Sequence, residues 1–183
     1  RSLDASADSG YSVVRQGEEY KDGETGESLG FESTFVAESA VQLVGDPATV
    51  MLDKTTQEVR KGDRLLPAIE GPIVQNYYPH APDNQIKGRI VGVVDGVTQI
   101  GEFAIVVIDR GLQDGVEVGH VLQIDQAGET VRDVVAGKGA EVTLPDEKAG
   151  VLMVFRVFDR VSYALVMEAT RAMHRMDVVR TPY

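Results

Sequence analysis

Apolar residues along this chain come in short runs, roughly four to nine residues long, rich in β-branched side chains and bounded by Gly, Pro or Asp. The densest pattern is 103–126, FAIVVIDRGLQDGVEVGHVLQIDQ. Its apolar runs at 103–108 and 121–124 flank a loop that holds Gly111, Gly115 and Gly119. This predicts a strand, a tight glycine corner and a second strand, with the glycines supplying positive φ in the turns. Further strands are expected at 11–14, 31–39, 40–44, 49–52, around Leu65, at 85–94, 129–134, 150–158, 161–167 and 177–180. Residues 16–30 hold four glycines among acidic side chains and are expected to be turns. Asp95–Gly96 suggests a tight hairpin, and 168–176 is the one stretch with a helical turn pattern. The absence of longer amphipathic periods predicts an all-β fold: two small barrel- or sandwich-like domains in tandem, with little helix.

The stretch 71–84, GPIVQNYYPHAPDN, carries three prolines, which restrict their predecessors to extended backbone. The expected division is a flexible lead-in at 1–10, a first β domain at 11–71, a Pro/Tyr connector at 72–85 and a second β domain at 86–183. Residues 41–66 and 155–180 align at an offset of 114: Val41 with Phe155, Met51 with Leu165, Thr56 with Thr170, Asp63 with Asp177 and Leu65 with Val179. A duplicated β unit is the simplest account. Two unrelated domains that both end in a hairpin and a turn are the other.

Net charge is −11, distributed as −7 over residues 1–71 and −3 over 86–183, with Asp83 between them. This balance speaks against nucleic acid and anionic membrane surfaces, which need clustered Lys and Arg. The exception is a locally basic C-terminal end with Arg156, Arg160, Arg171, Arg175 and Arg180. No cysteine is present, so disulfides, thiolate catalysis and cysteine-held zinc are out of reach. No apolar run approaches the ~20 residues that span a bilayer as a helix. The chain starts at Arg1 rather than Met, which suggests a processed or truncated chain.

Candidate chemistry is sparse. The glycine corner lacks the Gly-Lys-Ser/Thr ending of a phosphate loop, and no helix is expected after it. His80, His120 and His174 have no local metal spacing. Glu18, Glu19, Asp22, Glu24 and Glu27 lack the calcium-loop order and are expected to form a solvated loop. No nucleophile elbow or HExxH is present. The expectation is a non-enzyme with no catalytic, cofactor-binding or metal residues. Tyr77 and Tyr78 combine large rings with a pre-extended proline segment, and either pack between domains or meet a partner. Together with Arg156 and Arg160 they are the candidate partner-binding residues.

Three blocks carry a family resemblance: GESLGFESTFVAESAVQLVGDPATVMLDKTTQEVRKGDRLLP (26–67), KGRIVGVVDGVTQIGEFAIVVIDRGLQDGVEVGHVLQI (87–124) and LPDEKAGVLMVFRVFDRVSYALVMEAT (144–170). They resemble the region after the LysM module in the type IV pilus secretin-associated (TsaP) family, and the second half is similar to the C-terminal domain of the flagellar outer-ring protein FlgT. The resemblance implies a periplasmic structural accessory that binds the outer-membrane secretin ring, self-associates in a ring, and is anchored to peptidoglycan through a LysM module that this chain does not contain. It implies no direct membrane insertion. A cell-wall glycan-binding module or a flagellar-outer-ring-like structural protein is the alternative.

Overall fold

The computed structural model describes residues 10–68, 76–94, 99–126, 128, 130–132 and 141–182. Among them are twelve strands, one short 3₁₀ turn and no α-helix, so the all-β expectation holds. The chain forms two compact units: Arg1–Glu19 with Gly30–Val74, and Tyr20–Leu29 with Gln75–Tyr183. Residues 20–29, placed within the first domain on sequence grounds, count with the C-terminal unit.

Four strands build the first sheet: β1 Gly10–Lys21, β2 Ser28–Leu43, β3 Thr49–Asp53 and β4 Arg64–Pro67. Their spatial order is β3-β2-β1-β4, with β3 and β4 at the edges. Two expectations fail here. The acidic stretch 16–30 is mostly strand, with a turn only at 22–27, and 31–39 and 40–44 are one continuous strand. The reason lies in exposure. Residues 16–19 are exposed on both faces of the sheet, so no alternation of apolar and polar residues marks them. The core of this unit is small: Val13, Val36 and Ala37, with Leu65 packed against them. Arg15 grips Asp63 through two parallel bonds of 2.9 Å, tying β1 to the turn before β4.

The second unit is a closed six-strand barrel. Its strands are β5 Lys87–Val93, β6 Ile105–Ile108, β7 Val121–Gln126, β10 Glu147–Val157, β11 Ser162–Ala169 and β12 Val178–Arg180; β8 Thr130–Arg132 and β9 Glu141–Thr143 pair separately. Around the ring the order is β10-β11-β6-β5-β12-β7. Ile90, Ile108, Leu122, Ile124, Leu152, Val154 and Val166 fill the interior with no exposed surface. Each contributes ~1.5–3 kcal/mol by leaving water.

The 103–126 pattern takes a different form from the one expected. β6 and β7 stand opposite each other in the ring, so residues 109–120 cross the barrel end instead of making a tight corner. Val116, on this crossing, is fully buried and plugs the end. Phe103 lies outside β6 at φ 63 and is 71% exposed. Gly115 and Gly119 have the expected positive φ, at 77° and 96°. Gly111 is extended, at φ −140, and its requirement is close approach. A Cβ there would lie 2.4 Å from the Phe158 carbonyl oxygen and 2.7 Å from the Arg160 amide nitrogen. Residues 168–176 hold no helix, because β11 runs through Ala169 and a turn follows. The expected Asp95–Gly96 hairpin lies outside the described residues.

Asp109, at the end of β6, is nearly fully buried and organises this side of the barrel. Its Oδ1 accepts the Arg89 amide at 2.7 Å and its Oδ2 accepts the Gly23 amide at 2.9 Å. Arg110 beside it donates to the Lys87 carbonyl at 2.7 Å and to Asp22 at 3.2 Å. The turn 22–27 is thereby held on the barrel, and Tyr20 and Leu29 cover Val91 and Val107 on its outer face. Asp22 also accepts the amides of Thr25 and Glu24. These bonds, with the Arg110 charge, lower its pKa to about 2.

The internal repeat is present as structure. The sheet order β3-β2-β1-β4 recurs in the barrel as β11-β10-β7-β12. Val50 pairs with Val41 and Thr49 with Leu43; Ala164 pairs with Val154 and Tyr163 with Arg156, with the same one-residue bulge between. Thr56 donates its amide and hydroxyl to the Val36 carbonyl at 2.8 and 3.0 Å, and Thr170 does the same to Ala149 at 2.8 and 3.0 Å. The amides of Arg60 and His174 each donate to an aspartate three residues on, Asp63 and Asp177, at 2.8 Å. Gly62 and Met176, just before those aspartates, both have positive φ. One refinement to the alignment follows from the register. Val41 corresponds to Val154, not Phe155, and the offset of 114 holds from β3 onward.

Two predictions follow from this packing. Gly111→Ala drives a methyl group into backbone atoms that have no rotamer to escape through, so it should destabilise by about 2–4 kcal/mol in urea unfolding. Leu112→Ala, at an exposed neighbour, should stay within about 0.5 kcal/mol. For Asp22 the folded pKa lies below the ordinary 3.8, so its contribution is complete above that value and is lost as pH falls toward 2. Urea midpoints of the wild type should therefore drop between pH 4 and 2 by more than those of Asp22→Asn. Equal drops would show that Asp22 is not held this way.

Candidate functional site

The end of the barrel crossed by residues 109–120 also receives the segment that leads into β5. His80 runs parallel to His120: its amide donates to the Gly119 carbonyl at 3.0 Å, and its carbonyl accepts the Val121 amide at 2.8 Å. Further along, the buried Thr181 hydroxyl accepts the Ile86 amide and donates to the Asn84 carbonyl, both at 2.9 Å. Residues 78–86 are thus a strap along the barrel rim. Gly119 is required twice here. It has positive φ, and a Cβ on it would stand 2.6 Å from the Tyr78 carbonyl oxygen.

The strap brings His80 to Glu117 and His120, from which it lies far apart in sequence. Ligand atoms of His80, Glu117 and His120 lie within 4.8 Å of one another, and the two rings meet edge to face at 4.9 Å. Such a set suits a zinc-like ion by residue type, so the protonation of each ring decides what it can do. His80 Nδ1 faces the Tyr78 carbonyl at 2.8 Å. A carbonyl only accepts, so Nδ1 carries the proton and Nε2 is bare. His120 is the reverse. Its Nδ1 accepts the Glu117 amide at 3.1 Å, which leaves the proton of the neutral ring on Nε2. An ion shared by both rings through Nε2 would first have to break that bond. The geometry favours a proton-sensitive latch over a preformed ion site. Burial, and then the neighbouring His80, lower the pKa of His120; Glu117 and Asp83 act the other way. His174, the third histidine, lies elsewhere, in the turn before β12.

The four residues singled out from sequence fall on two elements. Tyr77 and Tyr78 precede the strap. Tyr77 is half-buried, and Tyr78 is 78% exposed with its carbonyl holding His80. Arg156 and Arg160 sit on and just after β10. Arg156 is exposed, its guanidinium 5.2 Å from the centre of the Phe158 ring. Arg160 forks onto Glu27 at 2.9 and 3.1 Å, so much of its donor capacity is used within the unit. Sequence reasoning missed the apolar surface of the first unit. Leu43 is 65% exposed, and Phe31, Phe35, Val44, Met51 and Leu52 are all exposed on or beside β2 and β3. Runs of apolar residues read as core, and only the edge position of β3 shows that the core ends there. Among the described residues no helix is long and apolar enough to cross a membrane.

For the latch, the sign follows from a folded pKa below the ordinary 6.5: stability is present above that value and is lost as pH falls through it. Protonation puts a hydrogen on Nδ1, opposite the Glu117 amide, where two donors cannot bond. Protection of the His80 and Val121 amides in hydrogen exchange should fall between pH 7 and 5. In His120→Gln, whose side-chain oxygen accepts without titrating, the fall should vanish.

The chain matches no family model, and a search of curated proteins returns no match.

Proposed function

We propose that this chain is a non-enzymatic structural accessory of a type IV pilus secretin complex, working in the periplasm as a docking module on the outer-membrane secretin ring. The observation that carries this reading is the set of exposed apolar side chains on and beside β2 and β3, from Phe31 to Leu52, in a sheet whose two edge strands have no further partner strand among the described residues. Apolar surface of this kind marks protein contact, and a free edge offers backbone donors and acceptors to another β protein. The three family-like sequence blocks supply the partner. Peptidoglycan attachment, in this reading, belongs to a LysM module outside this chain. Self-association in a ring follows from docking on a ring-shaped partner.

Copurification with the periplasmic region of a secretin is the test. The wild-type chain should be retained, and the double variant Leu43→Asp/Val44→Asp should retain less than about a tenth as much, because it places charge on the exposed apolar end of β2. If only a LysM module retains secretin, the assignment is lost. Sedimentation with peptidoglycan should leave this chain in the supernatant; a pellet would favour a glycan-binding module.

A further inference from the structure

The repeat shows what the first sheet lacks. In the barrel, β11 is covered by β6 and β12 by β5. Among the described residues, their counterparts β3 and β4 have no further strand beyond them in the sheet. The first unit therefore corresponds to four consecutive strands of a six-strand ring. The two absent strands are those that, in the barrel, pair with each other as an antiparallel hairpin.

The side chains tell the same story. Several inward positions are buried in the barrel and part-exposed in the sheet. Val166 has no exposed surface, and its counterpart Leu52 is 43% exposed. Ala164, Val154 and Val179 are fully buried, whereas Val50, Val41 and Leu65 are half-exposed. Positions on β1 are buried in both: Val13 like Ile124, and Tyr11 like Leu122. Inward residues of β3 and β4, and Val41 near the end of β2, lose cover, while those of β1 keep it.

We infer that the first unit is an acceptor for a β-hairpin from its partner, which completes a six-strand barrel by pairing antiparallel with β3 on one side and β4 on the other. This rests on the docking reading above and names the element docked. By correspondence with the barrel, one donated strand runs along Thr49–Asp53 and the other along Arg64–Pro67. The donor carries alternating β-branched residues on one face, as β6 does with Val106 and Ile108 turned into the core. A hairpin matches two edges at once, which a single strand cannot. It also removes both free edges and covers Val41, Val50 and Leu52.

The chain supplies its own probe: a synthetic peptide of residues 87–108, which spans β5 and β6. Added to the intact protein, it should slow hydrogen exchange in both β3 and β4, saturably. Leu52→Asp, on the inward face, should weaken this binding by at least about tenfold. Met51→Asp, on the opposite face of the same strand, should change it by less than about threefold. Protection of one edge alone, of neither edge, or equal sensitivity to the two substitutions would overturn closure by a hairpin. Secretin retention is scored separately. If secretin is retained while the peptide protects neither edge, docking stands and the hairpin falls. If the peptide protects both edges while secretin is not retained, the acceptor stands and the choice of partner falls.

Discussion

Everything in the C-terminal unit depends on closure of its ring by a strand of three residues. Val178–Arg180 pairs with β5 on one side and β7 on the other. Without it, two long edges would open and the interior aliphatics would face water. So short a strand does not hold by its own ladder, and its flanks are anchored. Asp177 accepts the His174 amide before it. Arg180 pairs with the fully buried Asp125 on β7 within it. Thr181 ties it to the strap after it. A charge as deeply buried as Asp125 is tolerable only with such a partner, and loss of either would leave the other uncompensated.

The first unit makes the value of closure visible, because the same four strands appear there without it. The turn geometry around Thr56, Arg60 and Asp63 matches that around Thr170, His174 and Asp177 to within about a tenth of an ångström. What differs, among the described residues, is the count of strands. Where the ring is closed, inward residues are large and buried. Where it is open, the core shrinks to a few side chains and an ion pair, Arg15 with Asp63, takes a larger share of the order. Open edges usually invite aggregation. Here the exposed outer halves of β1 and β2 carry Glu18, Glu19 and Glu32, and Lys54 pairs with Glu38 beside β3. Such charge disfavours indiscriminate pairing while leaving the apolar surface of β3 available.

The all-β class, most of the barrel strands and the repeat could be read from the sequence, since buried strands appear as β-branched runs and turns as Gly, Pro and Asp. What escaped has common physical causes. The polar ends of β1 and β2 face solvent on both sides and carry no period. Phe103 is aromatic yet sits at a positive φ outside its strand, a choice set by the Val166 carbonyl that its amide reaches at 2.9 Å. Gly111 reads like its neighbours in sequence, but its reason is the backbone of Phe158–Arg160, some fifty residues away. His80 joins Glu117 and His120 only through a parallel bridge between strap and barrel. Such a contact is invisible until the topology is known.

The latch also bears on how the strap is used. His80 and His120 hold their protons in opposite arrangements because each answers a different backbone group: a carbonyl at Tyr78 and an amide at Glu117. The backbone, not the rings' mutual contact, sets the tautomers. Charging His120 breaks its bond to Glu117, since Nδ1 was the acceptor. That bond lies at the point where the connector first meets the barrel.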